Sequence, residues 1–260
     1  IKAQKQAGKP FLAYIATNAP HGPMHSPEEF SEPYQDQNVN LANFYGMIAN
    51  IDQNVGQLRS FLEEEGLADD TIFIFTTDNG TSSGDRVFNS GMRGKKGSEY
   101  DGGHRVPLFV RWPNGDLSGG RDVGAITAYV DVLPTLIDLC DVKSPSNVKF
   151  DGVSITPLLS GKPPRDWPDR ILVTDSQRVK DPIKWRKSAV MTSQWRLNNG
   201  KELYDIKADP GQKQNVAGDH PKVVARLTDF YDAWWAEIEP SFANATAIYL
   251  GQDRKSTRLN

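Results

Sequence analysis

Four consecutive apolar residues, Ile72-Phe73-Ile74-Phe75, run straight into Thr76-Thr77-Asp78-Asn79-Gly80, and this junction constrains the chain more than any other stretch. A short β-branched and aromatic run without alternation, bounded by Asp69-Asp70 and Asn79-Gly80, reads as a central strand of a parallel sheet, buried on both faces. In such sheets ligands gather at the carboxyl ends of the strands. Asp78 and Asn79 stand at that end and offer a carboxylate and an amide carbonyl, hard oxygen donors matched to Ca²⁺ or Mg²⁺. Asp-Asn-Gly is also a common turn composition, so these residues alone leave the turn reading open.

The segment Arg93-Gly94-Lys95-Lys96-Gly97-Ser98-Glu99-Tyr100-Asp101-Gly102-Gly103-His104-Arg105-Val106-Pro107 follows and leads into a second apolar strand, Leu108-Phe109-Val110. Two ammonium groups set between glycines can hold an oxyanion by point charge and by exposed backbone N–H groups. A solvated lysine pair is the plain alternative. Upstream, Phe11 to Ala16 reads as another strand, ending in Asn18-Ala19-Pro20-His21-Gly22-Pro23-Met24-His25. The prolines and glycine break any helix there, so His21 and His25 do not form an i,i+4 zinc pair. An imidazole that hydrogen-bonds an oxyanion or protonates a leaving alkoxide suits this loop better.

Taken in order, the Asp-Asn-Gly after an apolar strand, Lys-Gly-Ser-x-Tyr-Asp-Gly-Gly-x-Arg-Val-Pro, the next strand and Trp112-Pro113 resemble the distal signature of the sulfatase family. Asn18-Ala19-Pro20-His21-Gly22-Pro23 upstream, and Glu202-Leu203-Tyr204-Asp205 with Asp209-Pro210 downstream, carry the resemblance over most of residues 9 to 240. It implies an α/β fold of the alkaline-phosphatase-like type, a mostly parallel sheet with helices on both faces and a small C-terminal subdomain of antiparallel sheet and helix. The implied activity is hydrolysis of sulfate esters through a formylglycine nucleophile and one divalent cation, Ca²⁺ ahead of Mg²⁺. Residue by residue, the resemblance makes Asp78 and Asn79 metal ligands, Lys96 a sulfate-binding lysine, and His21 the histidine that binds sulfate or protonates the leaving group. Lys95 has no counterpart. His25 and His104 are substrate-side candidates, and with Ser82 to Asn89 they suit a sulfated sugar or an aryl sulfate, the sugar being preferred. A sulfated small molecule or glycan is thus the expected partner, and the setting implied is secreted or periplasmic. Two other readings stay open: a phosphodiesterase or phosphonate hydrolase of the same superfamily, and a noncatalytic module that binds an anionic glycan.

One departure bears on activity. The family's nucleophile is a cysteine or serine followed, two residues on, by Pro or Ala and, two further, by Arg. The single cysteine lies in Leu139-Cys140-Asp141-Val142-Lys143-Ser144, which does not match, and no serine does. The expectation is a chain that begins in mid-protein, is inactive alone, and is poorly soluble because sheet strands lack neighbours.

The remaining features bound the answer. A net charge of -3, with no basic tract, gives no ground for nucleic acid or an anionic membrane surface. No apolar stretch reaches the roughly 18 to 20 residues of a membrane span. One cysteine excludes an internal disulfide and a cysteine-based zinc site, and its apolar context reads as a buried thiol. Apolar residues at helical spacing predict a helix over residues 40 to 65, with Gly66 as its stop, and another over Tyr129 to Leu139. Gly161 to Asp166 is the most linker-like stretch, placing one domain over residues 1–165. Short strands near 171–174, 187–191, 195–197 and 202–205, an Asn198-Asn199-Gly200 turn and a helix from Pro221 to Glu237 form the second, over 166–250. Residues 251–260 read as a disordered or extraneous tail.

Overall fold

The computed structural model describes residues 1–243 apart from 145, 146, 163, 166, 178 and 180, so the tail assigned to 251–260 lies outside the described residues. Two units, Ile1–Ala68 and Asp69–Asn260, hold most of their contacts internally, and each is described by itself. The linker-like stretch at 161–166 falls inside the second.

The first unit is helical: α1 (Lys2–Gln6), α2 (Glu28–Ser31) and the long α3 (Val39–Glu64). Asn38 caps α3, its Oδ1 accepting from the Leu41 N–H at 3.1 Å. The helix closes at Gly66, with the Leu67 N–H bonded to the Leu62 carbonyl at 2.8 Å, as the periodicity predicts. Phe44, Met47 and Leu62 form its buried face. Lys2 and Lys5 bind Glu65 at 3.1 and 3.0 Å, tying α1 to the end of α3.

Residues 11–16 do not form the predicted strand. Leu12 and Tyr14 are 87% and 92% exposed, and no ladder pairs this segment. An apolar run becomes a strand only when another strand satisfies its backbone, and the described elements of this unit are all helices.

The second unit contains β1 (Phe73–Thr76), α4 (Asp101–His104), β2 (Leu108–Arg111), α5 (Val132–Leu139) and α6 (Thr156–Leu159), then β3 (Leu172–Asp175), β4 (Ser188–Met191), β5 (Trp195–Asn198), β6 (Glu202–Asp205) and α7 (Pro221–Phe242). No parallel pairing occurs among the described residues, which corrects the expectation of a mostly parallel sheet. Instead β1 and β2 pair antiparallel, Phe73 opposite Arg111 and Thr76 opposite Leu108. A parallel pair needs a crossover that returns the chain to the same edge in the same direction. Here the connection turns back on itself, with the Thr76 hydroxyl bonding the Pro107 carbonyl at 2.8 Å and the Gly80 N–H bonding the Gly103 carbonyl at 3.0 Å. Ile74, Leu108 and Val110 line one cleft with Val132, Leu136 and Leu139 of α5, while Phe109 on the other face is 65% exposed.

Cys140 is exposed rather than buried. It follows Leu139 by one residue, about 100° around the helix, so the stripe that packs Val132, Leu136 and Leu139 inward carries the thiol away from that surface.

The predicted C-terminal sheet forms as read. Four antiparallel strands run in the order β3-β4-β5-β6. Asn199 and Gly200, at φ +52° and +67°, make the type I′ turn that matches the twist of a hairpin, closed by the Lys201 N–H to the Asn198 carbonyl at 3.0 Å. Val190, Leu197 and Leu203 meet Leu227, Tyr231 and Trp235, which recur every four residues along α7. That is the densest core of the described chain. No helix among the described residues is long and apolar enough to cross a membrane.

Candidate functional site

Asp78 and Asn79 sit immediately past β1, as the apolar run requires. Asp78 is exposed and Asn79 half-buried. Gly80 is needed next because a Cβ there would run into the Gly102 carbonyl oxygen. The loop beyond is held to the lysine segment: the Lys96 N–H donates to the Thr81 carbonyl at 2.9 Å. The structure therefore brings Asp78, Asn79 and Lys96 onto neighbouring stretches of backbone. The two lysines then diverge. Lys95 pairs with Asp85 at 3.4 Å, whereas the side chain of the half-buried Lys96 makes no hydrogen bond or ion pair among the described residues. A strongly hydrated ammonium held without a carboxylate partner stays available to an anion.

The rest of the signature docks onto the C-terminal sheet, on the face opposite α7. Asp101, wholly buried, accepts from Arg196 Nε of β5 at 2.9 Å and lies 3.8 Å from Arg105. Its backbone N–H donates to Gln212 Oε1 at 2.8 Å. Arg93 stacks 3.8 Å over the Tyr100 ring and donates to the Tyr204 hydroxyl at 3.0 Å. Both tyrosine hydroxyls donate to Glu202 Oε2, at 2.8 and 3.0 Å, and burial together with that carboxylate pushes the Tyr100 and Tyr204 phenols upward. Asn199 Nδ2 reaches Glu99 at 2.6 Å. Tyr100 and Asp101 are thus bound into the sheet, and Arg105 pairs with Asp101. Arg93 and Arg196, which fix them, were not legible as site-shaping residues: an arginine on a strand 95 positions away gives no local signal.

His104 belongs to this packed part. One ring nitrogen, Nε2, lies 3.3 Å from the Glu99 carbonyl, which can only accept, so that nitrogen carries the proton. Burial pushes the imidazole below its ordinary range, with the charge of Asp101 opposing in part. His21 and His25 are exposed residues of the first unit, on the loop after residue 16. His21 Nδ1 donates to the Gly22 carbonyl at 2.8 Å, leaving Nε2 as the atom open to a ligand.

A metal at Asp78 and Asn79 would find oxygen donors of the right hardness. They are two of the roughly six to eight that Ca²⁺ takes, and no group of three His, Cys, Asp or Glu side chains among the described residues is placed to hold an ion. This pair alone does not fill a calcium site.

Comparison with known proteins fits the geometry. The sulfatase family model matches residues 1–142, more than half of the chain, and a model for the C-terminal part of N-sulphoglucosamine sulphohydrolase matches residues 95–231. The chain belongs to the sulfatase family. The second match begins within the lysine segment and runs through the sheet onto which the signature docks. Human arylsulfatase A is 31% identical over 86% of the chain and 48% of its own length. The N-acetylglucosamine-6-O-sulfatase of Bacteroides thetaiotaomicron is 28% identical over 68% of the chain and 32% of its own. A solved structure of i-CgsB in complex with a neocarrahexaose superposes with a TM-score of 0.78 at 24% identity, covering 90% of this chain and 52% of that one, which places the chain in the same fold. The chain thus spans about half or less of the length of these relatives.

Proposed function

We propose that this chain supplies the sulfate-holding part of a sulfuric-ester hydrolase that acts on sulfated carbohydrates. The observation that carries the reading is Lys96, whose ammonium is unpaired among the described residues and whose backbone is hooked to the loop that bears Asp78 and Asn79. In this reading Lys96 neutralises a sulfate oxygen and Asp78 and Asn79 are two oxygen ligands of a Ca²⁺ site; the role of His21 toward sulfate or the leaving oxygen rests on the family resemblance alone. A bound divalent ion would supply stabilisation of the charge that builds on sulfate. The preference for a sugar is supported by the N-sulphoglucosamine sulphohydrolase match over residues 95–231. No residue of the chain fits the formylglycine position, so no nucleophilic step is assigned to it.

The test is release of inorganic sulfate from N-acetylglucosamine-6-O-sulfate by the protein expressed from its own gene, beside Lys96→Ala and Asp78→Ala. Losing a preorganised charge contact should lower turnover by about 10² to 10³, and the 260-residue chain alone should show none. Turnover unchanged in both variants would sink the site assignment. Preferential release of phosphate from a phosphonate monoester would transfer the site to that chemistry.

A further inference from the structure

Between the metal-side loop and Lys96 the chain makes an excursion, residues 81–92, whose tip is Arg86-Val87-Phe88. Val87 is 57% and Phe88 76% exposed, and Arg86 is exposed with no hydrogen bond or ion pair among the described residues. Single exposed apolar side chains are ordinary on any surface. This pair differs in being held out by a loop tied at every level. The N–H groups of Val87 and Phe88 both bond the Gly84 carbonyl, at 2.9 and 3.0 Å. Asp85 is paired to Lys95, and Asn89 Nδ2 clamps the carbonyls of Met92 and Gly94, each at 2.8 Å. The base of the loop is the Thr81–Lys96 bond. An aromatic ring kept in water by so many fixed contacts is presented to something, and it is presented beside an unpaired guanidinium on the segment that joins Asn79 to Lys96.

We infer that the Arg86-Phe88 tip is a platform for the sugar of a sulfated substrate, with the Phe88 ring stacking on the apolar face of the pyranose and Arg86 pairing with a sulfate. The inference rests on the sulfate-ester reading and adds to it a residue that selects sugars over other sulfate esters. A planar, low-entropy aromatic contact suits the C–H face of a sugar ring, and a guanidinium fits an oxyanion in a fork that an ammonium lacks. The arrangement also divides the labour: Lys96 would recognise sulfate whatever carries it, and the tip would recognise the carrier.

The experiment is an NMR titration of the protein expressed from its own gene with three probes, N-acetylglucosamine-6-O-sulfate, N-acetylglucosamine and inorganic sulfate, for wild type, Phe88→Ala, Phe88→Trp, Arg86→Ala and Lys96→Ala. Removing the ring should weaken the sulfated sugar about tenfold while leaving inorganic sulfate unchanged, and Phe88→Trp should retain the affinity. Removing Arg86 should weaken the sulfated sugar about two- to fivefold at low salt. The two readings fail differently. Wild-type affinity for the sulfated sugar in Phe88→Ala, with Lys96→Ala impaired, overturns the platform and leaves the sulfate site standing. Absence of any Lys96-dependent binding overturns both.

Discussion

Lys96 and Asp101 belong to one continuous signature, yet the structure treats them in opposite ways. Lys96 keeps its ammonium free, and Asp78 and Asn79 beside its loop are open or half-open to solvent. Asp101 is wholly buried and gripped by Arg196 at 2.9 Å, within a lattice of Tyr100, Tyr204, Glu202, Arg93 and Gln212. Desolvated charge needs a partner, and Asp101 finds it in Arg196, so the second half has spent most of its polar groups on holding the sheet, with Asp101 Oδ2 and Gln212 Nε2 left buried without a hydrogen bond. A polar group left unspent at the end of a strand is the one free to meet a ligand. Uniform sequence motifs can therefore conceal two jobs, scaffold and site, and pairing separates them.

The scaffold half should break first and most. Removing one partner of a buried ion pair strands the other, at a cost of about 3 to 5 kcal/mol. Arg196→Ala and Asp101→Ala are each expected to lose that much in urea unfolding. A loss below about 1 kcal/mol, the scale of exposed pairs, would mean that the signature is not anchored by this contact.

Acid should expose the same half next. Burial holds His104 below its ordinary range, so the unfolded chain binds the proton more readily; stability is full above about pH 6.5 and falls as pH drops through that value. Asp131 adds a second loss at lower pH. Burial raises its carboxyl, but Arg170, at 2.7 and 2.8 Å, and the N–H groups of Val153 and Ala128 outweigh that and leave it lowered, so its contribution disappears below about pH 3.9. Asp175 works in the opposite sense: burial raises it against hydrogen bonds from Tyr231 and Gln177, and its protonation favours the fold as pH falls. The first step is diagnostic because no described carboxylate lowered in the fold titrates there. His104→Gln should flatten the fall between pH 7 and 5; a persistent slope would assign it elsewhere.

What the sequence reveals follows the range of the forces. The α3 stop at Gly66 and the Asn199-Gly200 hairpin are set by neighbours within a few residues and read directly. On α7 the periodicity puts Val224, Leu227, Phe230, Tyr231 and Trp234 on one face; Leu227 and Tyr231 are buried there, but Trp235 rather than Trp234 completes the buried row and Phe230 is 37% exposed. The partners of β1 were not legible, since an apolar run states that a strand is buried and not what lies beside it. Residues 11–16 show the same ambiguity, apolar and yet exposed. At the site, composition marks Asp78 and Asn79 as oxygen donors at a strand end, and only the family resemblance separates Lys96 from Lys95. Arg196 and Arg170, which decide what is scaffold, do so across long stretches of chain.

The smallest effect tests the comparison most sharply. The Lys96 side chain has no partner among the described residues and Asp78 is exposed, so Lys96→Ala and Asp78→Ala are expected to shift unfolding by no more than about 0.5 kcal/mol, the range of surface substitutions free of special contacts. Sulfate added to the wild type should raise the melting temperature by mass action, and that increment should vanish in Lys96→Ala. Loss of several kcal/mol on either substitution would show Lys96 or Asp78 to be scaffold after all, and the division between the two halves of the signature would collapse.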